Sequence, residues 1–80
     1  MARVTFPGHL LSYTGGEREV EVEASTVREL LEALEQRYPG SREALGRSAI
    51  AIDGQIYQDA FIEPLQPASE VFFMQRIEGG

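Results

Sequence analysis

The chain has 80 residues, no cysteine, and thirteen acidic against seven basic side chains, for a net charge of -6. That length allows a single domain with a small core, burying only about 60% of the unfolded surface, and the lack of thiols excludes disulfides and a thiolate zinc site as staples. The acidity speaks against nucleic acid as a partner, because such binding needs a cationic surface that displaces counterions. No apolar run approaches the about 20 residues that span a bilayer, and "MARVTF" has no apolar stretch behind it that would make a signal peptide. The expectation is a soluble cytoplasmic domain with neither a nucleic-acid nor a membrane partner.

In chain order, "RVTF" alternates as a strand, with Val4 and Phe6 on one side and Arg3 and Thr5 on the other. "YTGGE" is a turn signal, and "EREVEVE" behind it again alternates, Val20 and Val22 inward against Glu19, Glu21 and Glu23 outward. The two segments predict an antiparallel hairpin with one wet face. "STVRELLEALEQRYPG" is the strongest local signal: Val27, Leu30, Leu31, Leu34 and Tyr38 fall on one helical face. Thr26 and Glu29 form a capping box, and Pro39-Gly40 ends the helix. "SREALGR" predicts a short helical turn. In "SAIAIDGQIY", Ile50 and Ile52 alternate, Asp53-Gly54 marks a tight hairpin turn, and Ile56 resumes the pattern. "FIEPLQPASE", with two prolines, reads as a loop carrying at most a brief 3₁₀ turn, and "EVFFMQRI" as the last strand, with Val71 and Phe73 inward and Phe72 and Met74 outward. A helix of about 13 residues is roughly 20 Å long and can cover one face of such a sheet. The order of elements predicts an α+β, β-grasp (ubiquitin-like) fold: a mixed four- to five-stranded sheet packed against one main helix, spanning residues 1–77, with 78–80 as a flexible tail.

The pieces "RVTF", "STVRELLEALEQRYP", "IAIDGQIYQD" and "PLQPASEVFFMQRIEGG", in this order and spacing and closing on two glycines, resemble the ThiS/MoaD family of ubiquitin-like sulfur carrier proteins. The resemblance covers essentially the whole chain. It implies a protein with no catalytic centre and no bound cofactor, whose Gly80 carboxylate is adenylated by an E1-like adenylating enzyme that uses ATP. Sulfur from a sulfurtransferase or cysteine desulfurase then replaces the adenylate, and the resulting thiocarboxylate serves a sulfur-accepting synthase. Residue chemistry agrees with such a role. A carboxylate must be activated before it can react as an acyl group, and side-chain-free Gly79 and Gly80 can thread a narrow channel.

Glu78 belongs to the same tail, and Phe72, Met74, Ile77, Arg76 and Ile56 are candidates for gripping the partner, since apolar side chains beside a tail offer a docking patch. The remaining polar residues suggest no chemistry. Glu29, Glu32 and Glu35 read as a solvated helix face, and His9 lacks companions at metal-ligand spacing. Ser12, Tyr13 and Ser25 lack a base at a recognisable spacing. Three functions share these features: a sulfur carrier for molybdopterin, thiamine, cysteine or a natural product; a protein modifier joined through Gly80 to target lysines; and a non-covalent interaction domain.

Overall fold

The computed structural model describes residues 1–58 and 62–75. Five strands, β1 (Ala2–Thr5), β2 (Glu19–Val22), β3 (Ala49–Ile52), β4 (Gln55–Tyr57) and β5 (Glu70–Met74), form one sheet in the order β2-β1-β5-β3-β4. β5 inserts at the centre, parallel to β1 and antiparallel to β3. The main helix α1 (Val27–Arg37) covers one face, and a single helical turn, α2 (Arg42–Gly46), follows it.

Each expected element is present, with four differences of detail. The expected front hairpin is a true antiparallel pair, but the connection from β1 to β2 is not a tight turn: it carries a 3₁₀ turn, Gly8–Leu10, which buries Leu10. The helix is eleven residues long, shorter than its apolar periodicity implied, because Tyr38 leaves helical geometry (φ -128, ψ 80) and becomes the C-terminal cap. Its ring still packs inward, edge-on to Phe6 at 5.9 Å, while Phe6 stacks on Phe73 at 5.9 Å. The Tyr38 hydroxyl donates to Glu17, and burial together with that carboxylate holds the phenol above its ordinary pKa. Third, all four residues of β3 are buried rather than alternate ones. Finally, the proline-rich loop carries an isolated bridge, Thr26 to Pro64, framed by Val27 N–H to the Glu63 carbonyl (3.0 Å) and Leu65 N–H to the Ser25 carbonyl (2.8 Å). Pro64 has no donor to give, so its neighbours make the bonds.

The start of α1 follows the capping logic read from the sequence. The Thr26 hydroxyl accepts the Glu29 N–H at 3.2 Å, and the Glu29 carboxylate returns to the N–H of Ser25 at 3.0 Å, one residue earlier than the usual reciprocal bond. Val27, Leu30, Leu31 and Leu34 are all buried and meet Val4, Val71, Ile50 and Phe73 from the sheet in one core. Among the described residues no helix is long and apolar enough to cross a membrane.

Candidate functional site: the outer face of the sheet

The strand register decides what the uncovered face presents. Thr5 lies opposite Phe72, Phe72 opposite Ala51, and Ala51 opposite Ile56. These four residues form one row across β1, β5, β3 and β4, on the face away from α1, since side chains alternate along each strand. Phe72 is 43% exposed and Ile56 60%, and the register sets both on the same face. Ala51, directly between them, is buried although it points away from the core: its large neighbours cover it. One step further along β5, Met74 pairs with Ala49 and is half-buried. Around this row lies a shallow groove of about 510 Å³, which among the described residues is lined by Phe6, Pro7, Gly54, Phe73 and Met74 as well as the row itself, none of them charged.

The opposite end of the same face is charged. Arg3 stands between Glu21 and Glu70 in the neighbouring row. Reading outward residues along β5 therefore gives Glu70, Phe72, Met74: polarity falls towards the C-terminal end of the strand. The β3–β4 turn fixes this geometry. Asp53 (φ 48) and Gly54 (φ 87) both adopt the left-handed conformation of a two-residue hairpin. The Asp53 carboxylate then accepts the Ser69 hydroxyl and the Glu70 N–H, each at 2.9 Å, while its own N–H donates to the Glu70 carbonyl at 2.9 Å. That clasp anchors the first residue of β5, and with it the register of Phe72 against Ala51.

Of the residues singled out in the sequence, Ile56, Phe72 and Met74 converge on this patch. Arg76, Ile77, Glu78, Gly79 and Gly80 lie outside the described residues. Ala51, Thr5 and Pro7 were missed as lining residues. The alternation of "AIAI" already turned Ala51 outward, but only the register shows that it joins Phe72 to Ile56. Among the described residues no group of three or more His, Asp or Glu is placed to hold a metal ion.

A mixed sheet with a parallel central pair, a crossover helix on one face and an open apolar patch on the other defines the β-grasp, ubiquitin-like class. Solved structures share it throughout their length. A chain of the Amycolatopsis orientalis BexX/CysO complex superposes with a TM-score of 0.87 at 20% identity, covering 100% of both chains. CysO of Mycobacterium tuberculosis gives 0.86 at 18% identity, covering 96% of this chain and 100% of that one. A chain of the complex of subunits 1 and 2 of Helicobacter pylori molybdopterin-converting factor gives 0.67 at 26% identity, covering 99% and 97%. A search of curated protein sequences returned no significant match. The sequence model of the ThiS family matches residues 4–80, and the chain belongs to that family of ubiquitin-like sulfur carriers.

Proposed function

We propose that this protein carries sulfur on the carboxylate of Gly80, delivered to its partners by the apolar outer face of the sheet. The observation that carries the reading is the Phe72–Ala51–Ile56 row, which crosses β5 two residues before its last residue, Met74, on the side of the strand from which the chain continues towards Gly80. Membership of the ThiS family supports it, as does the occurrence of two structural neighbours in complexes with other proteins.

In this reading an E1-like enzyme binds the patch and ATP. One oxygen of the Gly80 carboxylate attacks the α-phosphorus, pyrophosphate leaves, and an acyl-adenylate forms. A persulfide held by a sulfurtransferase or cysteine desulfurase attacks the acyl carbon and AMP leaves. A thiol of the partner enzymes then cleaves the resulting acyl disulfide, itself ending in a disulfide, and the chain is released as a thiocarboxylate for a sulfur-accepting synthase. The carrier's own contribution is positional. A Cβ at residue 80 would crowd the reacting carbon, so glycine suits that position. The entropy of ordering the tail, about 1–2 kcal/mol per residue, is offset by desolvating Phe72, Ile56 and Met74 against the partner.

The test is to express the tagged chain in its own host, purify it and weigh it intact. The expected product is a form heavier by one oxygen-to-sulfur exchange, absent when Gly80 is deleted. Isopeptide-linked ladders instead would establish a protein modifier, and full function of the Gly80 deletion would leave only a non-covalent binding domain.

A further inference from the structure

The edge of the sheet at β2 has a pattern that the sulfur-carrier reading does not use. Phe6 N–H donates to the Arg18 carbonyl at 2.8 Å, and the register sets Val4 against Val20 and Thr5 against Glu19. In an antiparallel ladder these facts fix the alternation: Val20 and Val22 exchange bonds with β1, while Glu19 and Glu21 sit at the wide pairs. The main-chain N–H and C=O groups of Glu19 and Glu21 therefore point out of the sheet. The same parity appears on β1, where Arg3 N–H turns away from β2 to the Ser69 carbonyl at 2.9 Å. Beside this edge runs a groove of about 620 Å³ bounded by Arg3, Glu19, Val20, Glu21 and Arg37. Both basic side chains of its wall are already engaged, Arg3 with Glu19 at 4.0 Å and Arg37 with Glu17 at 3.8 Å.

We infer that the β2 edge takes up an extended segment of a partner protein as a sixth strand, and that this segment carries Lys or Arg at alternate positions. A strand added here would bond to Glu19 and Glu21, so the residues opposite them would place their side chains on the outer face, next to the two carboxylates. Cations at those positions are favourable cross-strand partners. The intervening residue would turn to the helix side, beside Val20 and the stem of Arg37, where an apolar side chain fits. The same geometry rejects a second copy of this chain. Pairing β2 with β2 would set Glu19 and Glu21 against their own equivalents, and like charges directly opposite are destabilising. The edge thus discriminates by charge as well as by shape, and it does so on the opposite side of the sheet from Ile56 on β4.

The proposal is tested on the intact chain with an acetylated, amidated peptide, Gly-Lys-Val-Lys-Val-Lys-Gly, against a shuffled peptide of the same composition with its three lysines adjacent. The expected result is that the alternating peptide shifts the amide resonances of residues 18–22 and slows hydrogen exchange at Glu19 and Glu21 by about tenfold or more, an effect weakened by salt. The shuffled peptide should leave that exchange unchanged. The variant E19Q/E21Q removes both carboxylates without setting a like charge against Arg3; it should keep its fold and lose the preference for the alternating lysine peptide. Equal protection by both lysine peptides, shifts confined to the outer apolar face, or no protection at millimolar peptide would overturn the proposal.

Discussion

The two faces of the sheet are built from the same strands but to different ends. On the inner face Val4, Ile50, Val71 and Phe73 meet the leucines of α1 and are almost completely removed from water. On the outer face Phe72 and Ile56 remain exposed among the described residues. Adjacent residues of β5 thus have opposite surroundings: Val71 and Phe73 hold the domain together, and Phe72 between them faces away from the core. In the proposed function, stability and recognition would be separated by a single peptide step, so that the partner surface could change without rebuilding the core.

The sharpest way to break this comparison is to truncate one residue on each side. Leu30→Ala, at a site with no exposure, should cost about 2–5 kcal/mol, read from chemical denaturation. A loss below that range would mean that α1 is not the main lid of the core. Asp53→Ala removes the acceptor of two hydrogen bonds at the start of β5 and should cost about 1–3 kcal/mol; a functional assay should also register it, through the displaced Phe72. Ser41→Ala probes the helix side in the other direction. Among the described residues its buried hydroxyl meets no hydrogen-bond partner, so the variant should be more stable by about 1 kcal/mol, seen as a raised Tm.

Phe72→Ala should change stability by less than about 1 kcal/mol, while activation by the adenylating enzyme falls about tenfold or more. If the domain unfolds instead, the outer face is structural and the division of labour is wrong. The gentlest effect concerns pH. The Glu35 carboxylate accepts the N–H groups of Gly40 (2.8 Å) and Arg42 (2.8 Å), and these bonds lower its pKa from the ordinary 4.5. A lowered folded-state value means that the group's contribution is present above the unfolded pKa and is lost as pH falls through the folded one. Glu35→Gln should therefore lower stability slightly at neutral pH, converge with the parent chain in acid, and so flatten the acid limb of the stability profile.

Much of this was legible beforehand, for reasons that can be located. The leucine spacing and Thr26/Glu29 fixed α1 because helix periodicity and capping are local. Asp53-Gly54 fixed the β3–β4 turn because few residues tolerate positive φ at both positions. Alternation assigned Phe72 outward and Phe73 inward. The Phe72–Ala51–Ile56 row was not legible, since register between strands distant in sequence is set by tertiary contacts, here the Asp53 clasp. Nor was the 3₁₀ turn at Gly8–Leu10, because a proline followed by a glycine interrupts strand pairing without specifying the shape that replaces it. Tyr38 shows the limit of periodicity, which assigned its burial correctly while missing that the helix ends one residue before it.

The parallel pairing of β1 with β5 carries a consequence for how the molecule matures. Without residues 70–74, β1 keeps only β2 and β3 keeps only β4, leaving two isolated hairpins, a form marginal at best in water. The sheet can close only when β5 slides between β1 and β3, so the two hairpins stay unjoined until residues 70–74 are in place. Closing the sheet, burying Val71 and Phe73, and turning Phe72 outward are then a single event.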